Sequence, residues 1–98
     1  MAMTISTTTN DATATIALGG WLDTSSAPQL AEALNSLDDS CTELVLDLGE
    51  LEYISSAGLR QVVSAHKLMK GNLEVVNVQP KVMHVFHMAG VDKRLSIS

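Results

Sequence analysis

Apolar and polar positions divide the chain into strand-like and helix-like segments. Residues 3–9 and 13–18 carry apolar side chains or Thr at every second position, with Asn10 and Asp11 between them. This pattern predicts a hairpin with one buried side. Further along, apolar residues recur at helical spacing in three segments. The predicted helices begin at Ser25 or Ser26, at Ser56 and at Pro80, and the predicted strands between them are residues 44–48 and 73–78.

This order of elements, β-β-α-β-α-β-α, predicts an α/β fold. Right-handed crossovers give a mixed, mostly parallel sheet of four or five strands packed against helices, with residues 95–98 as the candidate fifth strand. The apolar run at residues 44–48 does not alternate, which favours a strand covered on both faces. Gly49 and Glu50 are expected to end it. The 98 residues suit a single domain, 1–98.

Polar residues follow the second and third predicted strands. Gly19 and Gly20 are predicted to end the second strand, and residues 21–24 then connect it to a helix whose Ser26 and Gln29 have capping-box spacing. The carboxyl ends of parallel strands meet at one edge of a sheet. We therefore expect Asp23 to approach the serines that follow the third strand.

Two adjacent serines, Ser55 and Ser56, open the second helix. Ser56 is the expected N-cap. A helix start presents unpaired N–H groups and a partial positive charge, so it accepts a negative group such as a phosphate. The residues alone leave two interpretations of Ser56, a plain capping residue or a modifiable hydroxyl.

Residues 48–63 resemble the signature of the anti-sigma factor antagonists, the STAS-domain family, in which Asp-Ser-Ser-Gly-Leu opens a helix after a strand. The chain has Ile54-Ser55-Ser56-Ala57-Gly58-Leu59 at this place. The family's phosphorylated serine falls on Ser56, whereas Ser55 replaces the family Asp and Ala57 replaces the second serine. Ser55 is the second choice for modification. Two further segments resemble the family, Gly20-Trp21-Leu22-Asp23 and residues 80–90.

The resemblance implies a switchable binding protein that is not an enzyme. Its unphosphorylated form would bind an anti-sigma factor that is also a serine kinase, and so free the sigma factor. Phosphorylation of Ser56 would end that binding and a serine phosphatase would restore it. ATP would belong to the partner, so no cofactor is expected here. The implied partner-binding residues are Asp23, Thr24, Ser55, Ser56, Ala57, Gly58, Leu59 and Arg60.

Other functions fit the residues less closely. A STAS protein could instead regulate secretion, biofilm formation or lipid transport. A serine-nucleophile enzyme would need a Gly-x-Ser-x-Gly elbow, but Ile54 stands where the first glycine would be. A receiver domain would use Asp47, but the hairpin start does not supply the acidic pair that receivers need. Asp47, Glu50 and Glu52 are more simply solvated carboxylates.

Composition narrows the choice of partner. The formal charge of −5 opposes binding to nucleic acid or anionic lipid, and a single Trp, Tyr and Phe imply an aliphatic core. No apolar run approaches the about 20 residues of a membrane helix, and the N-terminus lacks the pattern of an export signal. We expect a cytoplasmic protein, a monomer or weak dimer, without a nucleic-acid or membrane partner.

No metal site is predicted, because the spacing of Cys41 and the three histidines matches no zinc pattern. His66 falls on the apolar stripe of the second helix and is expected to be partly buried and hydrogen-bonded. His84 and His87 lie opposite the apolar stripe of the last helix and are expected to be solvated.

Overall fold

The computed structural model describes residues 3–97, and Ser98 of the candidate last strand lies outside this range. Within it, strands and helices follow the predicted alternation. The elements are β1 (Met3–Asn10), β2 (Thr13–Leu22), α1 (Ala27–Asn35), β3 (Glu43–Ile54), α2 (Ser56–Leu68), β4 (Leu73–Val76), α3 (Pro80–Met88) and β5 (Ser96–Ile97).

The strands form one mixed sheet in the order β1-β2-β3-β4-β5. β1 is antiparallel to β2, and every later neighbour is parallel. Each parallel connection advances by one strand in the same direction. Since such crossovers are right-handed, α1, α2 and α3 lie on the same face of the sheet. The predicted mixed, mostly parallel α/β sheet is confirmed.

One face of the sheet is therefore covered and the other is open. In β3, Leu44, Leu46 and Leu48 are buried, whereas Val45 and Asp47 between them are only half-buried. The prediction that this strand is covered on both faces is wrong. Val45 is apolar although it lies on the open face, so the sequence does not show the alternation of this strand. All three crossovers are right-handed, which places every helix on one face and leaves the other face without a helix.

The core is aliphatic, as predicted, with Phe86 as its aromatic member among the described residues. Leucine, isoleucine and valine side chains from the sheet meet the inner faces of the helices. The largest fully buried side chains are Phe86, Ile16, Leu18, Leu22, Leu30, Leu44, Leu46, Leu48, Leu51, Val62, Val75 and Val82.

Strands β2 and β3 are longer than predicted, because glycines that were expected to end them lie inside them. β2 continues through Gly19 and Gly20, and β3 continues through Gly49, with register shifts in their pairing. A Cβ on Gly19 would lie 2.5 Å from Thr4 Oγ1 and 3.0 Å from Glu50 Cβ. Gly19 thus permits close approach of neighbouring strands instead of a turn.

β4 is shorter than predicted, because it ends at Val76 and not at residue 78. Asn77 has a φ of +57°, which breaks the extended backbone.

The predicted end of α2 is confirmed. Gly71 has a φ of +87°, and its N–H donates to the His66 carbonyl at 2.9 Å. The His66 side chain is half-buried as expected, but it makes no hydrogen bond to another described residue.

Candidate functional site

The carboxyl ends of β2 and β3 lie side by side. Leu22 pairs with Ile54, and the Ser55 N–H donates to the Leu22 carbonyl at 2.9 Å. Asp23 follows directly on β2, as Ser55 and Ser56 follow on β3. The sequence predicted that the connections after these two strands open on one edge of the sheet, and the strand pairing shows that they do.

The first turn of α2 is seated against the end of β2. A Cβ on Gly58 would lie 2.6 Å from Leu22 Cγ and 2.7 Å from the Leu22 carbonyl oxygen. Only a glycine allows the helix to come this close. The contact fixes the distance between the start of α2 and the loop that begins at Asp23.

The N-cap of α2 is Ser55, so the prediction of Ser56 as N-cap is wrong. Ser55 has extended backbone angles, and its Oγ accepts a hydrogen bond from the Gly58 N–H at 3.2 Å. Because β3 runs without a loop to Ile54, the N-cap lies one residue earlier than expected. Ser56 is consequently the first residue of the helix and is exposed.

The two serines therefore have different environments. Ser55 is half-buried and its hydroxyl is committed to capping. The Ser56 hydroxyl is exposed and has no hydrogen-bond partner within residues 3–97. Aspartate and serine are comparably good N-caps. The family Asp can thus be replaced by Ser55 without loss of the cap.

The capping role of Ser55 is testable by stability. Ser55→Ala is expected to lower the free energy of unfolding by about 1 kcal/mol, whereas Ser55→Asp keeps it near the wild-type value. Urea denaturation followed by circular dichroism measures both. Ser64→Ala, at an exposed position of the same helix, serves as the control. A Ser55→Ala variant as stable as the wild type would contradict the assignment of the cap.

The loop after β2 is ordered by hydrogen bonds to Asp23. Its Oδ1 accepts from the Ser25 hydroxyl at 2.8 Å, from the Ser25 N–H at 3.0 Å and from the Ser26 N–H at 3.1 Å. Chiefly the Ser25 hydroxyl, and then the Ser26 N–H, lowers the pKa of Asp23. The loop therefore presents a fixed carboxylate at neutral pH.

The buried Ser26 side chain hydrogen-bonds to the backbone of this loop. The predicted capping box of Ser26 with Gln29 does not form. Ser26 is buried, its hydroxyl donates to the Trp21 carbonyl at 2.7 Å and accepts from the Asp23 N–H at 2.9 Å. It makes no side-chain hydrogen bond to the first turn of α1. The serine closes the turn between β2 and α1 instead of capping the helix.

The residues implied as partner-binding differ in exposure. Thr24, Ser56 and Arg60 are exposed, and Asp23, Ser55 and Ala57 are half-buried. Gly58 and Leu59 are buried, so they position the start of α2 by packing inside the protein and are not available for contact with a partner. We call the outward part of the set, Asp23, Thr24, Ser56 and Arg60, the switch surface.

Sequence reasoning missed an aromatic pair beside the switch surface. Trp21 is 37% exposed and Tyr53 is 44% exposed, and their ring centroids lie 5.1 Å apart at 47°. They immediately precede the buried, paired Leu22 and Ile54, so they lie on the opposite, open face of the sheet. Strand alternation through the glycines would have placed both rings on the open face, but the register shifts that bring Trp21 opposite Tyr53 leave no local signal in the sequence.

The histidines lie away from the serines. His84 and His87 are exposed, as expected, and His87 Nδ1 lies 3.0 Å from Asp92 Oδ2. Among the described residues, no histidine side chain hydrogen-bonds to Ser55 or Ser56. In the same range, no group of three or more His, Cys, Asp or Glu side chains is placed to hold a metal ion.

The family model described as "Mlab, STAS domain" matches residues 5–97. The chain belongs to the STAS domain family. Its relatives include BtrV of Bordetella bronchiseptica, described as a candidate anti-sigma factor antagonist, which is 40% identical over 77 residues. That match covers 74% of this chain and 66% of the relative, which is just under two thirds of the relative's length.

Solved structures show the same STAS fold. An anti-sigma factor antagonist from Mycobacterium paratuberculosis matches with a TM-score of 0.87 and 25% identity, over 98% of this chain and 85% of that one. The anti-sigma factor antagonist SpoIIAA matches in its unphosphorylated form with a TM-score of 0.79 and 20% identity, over 99% and 88% of the two chains. The phosphorylated form of SpoIIAA, a Bacillus protein, matches with a TM-score of 0.66 and 18% identity, over 99% and 91%.

The resemblance found in the sequence is thus confirmed at the level of family and fold. The three segments that carried it lie inside residues 5–97. In the described part of this STAS protein, no helix has both the length and the apolar character that a membrane crossing requires.

Proposed function

We propose that this STAS protein is an anti-sigma factor antagonist whose binding is switched by phosphorylation of Ser56. The observation that carries the proposal is the exposed, uncommitted hydroxyl of Ser56 at the first position of α2. The resemblance of its flanking residues to the family signature and the antagonist relatives support it. The partner would be an anti-sigma factor that is also a serine kinase, acting in the cytoplasm.

The switch is electrostatic and local. A phosphate brings a charge of about −1.5 to −2 at neutral pH. The start of α2 accepts that charge because its backbone N–H groups and dipole are positive. The added charge beside the Asp23 carboxylate increases the negative charge of the docking surface, and the phosphorylated surface must be desolvated on docking. The phosphorylated protein therefore keeps its fold and loses its partner.

The protein itself has no catalytic role in this scheme. ATP binds to the kinase partner, and a separate serine phosphatase removes the phosphate. SpoIIAA has been solved in both phosphorylated and unphosphorylated forms, so a fold of this kind accommodates the modification.

Labelling of purified variants tests the proposed acceptor. The source organism's anti-sigma factor kinases are incubated one at a time with the protein and radiolabelled ATP. We expect one kinase to label the wild type, Ser55→Ala and the control Ser64→Ala, and to leave Ser56→Ala unlabelled. Undiminished labelling of Ser56→Ala would show that the acceptor is another residue, and a complete lack of labelling by every such kinase would contradict the phosphorylation switch.

A further inference from the structure

Two of the chain's three aromatic side chains lie at the surface, whereas the third, Phe86, is buried in the core. Trp21 and Tyr53 are each more than one-third exposed, and their rings contact each other across β2 and β3 on the open face of the sheet. Protein interfaces are richer in Trp and Tyr than the rest of a protein surface. The pair therefore marks a candidate contact surface.

A β-bulge places the two rings opposite each other. Gly20 pairs with Leu51 and Trp21 pairs with Tyr53, so Glu52 is an extra residue in β3. Gly20 has a φ of +80°, a backbone conformation that favours glycine. Without this bulge, Trp21 would lie opposite Glu52. Bulges commonly redirect side chains beside functional sites, and this one creates the aromatic pair.

The pair lies next to the switch surface. Trp21 precedes Asp23 by two residues, and Tyr53 precedes Ser55 by two. Two residues of chain span at most about 7 Å. A standard protein interface covers about 800 Å² on each partner. A protein that docks on the switch surface is therefore large enough to cover the aromatic pair as well.

The switch surface has no apolar side chain of its own, because it consists of Asp23, Thr24, Ser56 and Arg60. Charged contacts contribute to specificity and association rate more than to affinity. Most of the binding energy of an interface comes from a few anchor residues that become buried, and Trp and Tyr are among the commonest. The aromatic pair supplies the apolar anchor that the switch surface lacks.

The other exposed large apolar side chains of residues 3–97 lie far from the switch surface. They are Leu68 and Met88, the last residues of α2 and α3. Each helix starts at the carboxyl end of one parallel strand and returns to the amino end of the next. Along α2, Leu68 is about 18 Å from Ser56. Leu68 and Met88 therefore cannot anchor the same partner close to Ser56, and they provide matched controls.

We infer that Trp21 and Tyr53 anchor the anti-sigma factor kinase, which covers both rings with apolar side chains while its polar groups contact the switch surface. The inference rests on the proposed function, because it assigns the pair to the same partner. That partner is the occupant because the two surfaces are continuous through the paired Leu22 and Ile54. The rings carry no charge, so they contribute affinity, and the charge at Ser56 decides whether the partner stays bound.

Calorimetric titration of variants against the source organism's anti-sigma factor kinases tests the anchor. Trp21→Thr and Tyr53→Thr remove one ring each and keep a residue that suits a strand. Leu68→Ala and Met88→Ala remove exposed apolar side chains from helices at the other end of the sheet. We expect each Thr variant to bind the kinase at least about tenfold more weakly, and both controls to bind within about twofold of the wild type.

A second measurement needs no variant, because Trp21 is the only tryptophan of the chain. The protein labelled with 5-fluorotryptophan gives one fluorine NMR signal, whose shift between H₂O and D₂O reports the contact of the ring with solvent. Saturation with unlabelled kinase should move this signal and reduce its solvent shift. A signal unchanged in the saturated complex would overturn the inference.

The binding results also separate the anchor from the switch. If the Thr variants bind like the wild type, even with lower stability towards urea, the pair only stabilises the sheet and the inference is wrong. If they bind weakly while Ser56→Glu binds like the wild type, the anchor is supported and the phosphorylation switch is wrong. If no anti-sigma factor kinase binds the wild type, both proposals are wrong.

Discussion

Ser56→Glu is expected to weaken binding of the anti-sigma factor kinase by about a hundredfold or more, roughly 2.7 kcal/mol, without changing the fold. The residue is exposed at the first position of α2, where a carboxylate interacts favourably with the helix dipole. Stability should therefore remain at the wild-type level or rise slightly. In the complex, the same carboxylate would stand beside Asp23 in an interface from which water is removed.

Two further variants separate charge at residue 56 from other causes. Ser56→Gln has nearly the size of Ser56→Glu but no charge, and Ser64→Glu adds the same charge at an exposed position later in α2. Calorimetric titration against the kinase should give a strong loss for Ser56→Glu alone. If Ser56→Gln binds as weakly as Ser56→Glu, bulk and not charge controls docking. If Ser56→Glu binds like the wild type, the proposed switch is wrong.

Local sequence patterns were sufficient for the order of the elements. Two helices are identified by their apolar stripes, which include Leu30 and Leu34 in α1 and Leu59 and Val62 in α2. All four side chains are buried. The left-handed Gly71 marks the end of α2. Each of these signals depends on a few neighbouring residues.

The errors arise where a residue's role depends on distant parts of the chain. Gly19 looks like a strand end in the sequence, but its missing side chain makes room for Thr4 and Glu50. The N-cap moved to Ser55 because β3 extends to Ile54. No local pattern distinguishes a glycine that turns the chain from one that lets two strands approach.

Only part of the candidate site could be predicted from the sequence. The approach of Asp23 to the serines follows from parallel pairing, which the alternation of strands and helices implies. The different environments of Ser55 and Ser56 could not be predicted. If the N-cap position is wrong by one residue, the capping hydroxyl and the exposed hydroxyl exchange places. The Trp21–Tyr53 pair depends on bulged pairing between β2 and β3 and was missed with it.

Gly58→Ala is expected to have the largest effect on stability, because Gly58 packs closely against Leu22 of β2. Helix propensity alone predicts a gain of about 1 kcal/mol from this change. The new Cβ, however, would lie 2.7 Å from the Leu22 carbonyl oxygen and 2.6 Å from Leu22 Cγ. Backbone atoms of a central strand move only at high cost, so we expect the free energy of unfolding to fall by about 2 to 3 kcal/mol.

Urea denaturation of Gly58→Ala, with Gly49→Ala as the matched control, tests whether this contact positions the site. A Cβ on Gly49 would meet its nearest atom, Asp47 Oδ1, at 3.2 Å, so the control should lose far less stability. Because α2 must shift away from β2, Gly58→Ala should also bind the kinase more weakly under conditions in which it remains folded. A Gly58→Ala variant that gains stability would show that helix propensity outweighs the contact with Leu22, and that the switch surface does not depend on close packing of α2 against β2.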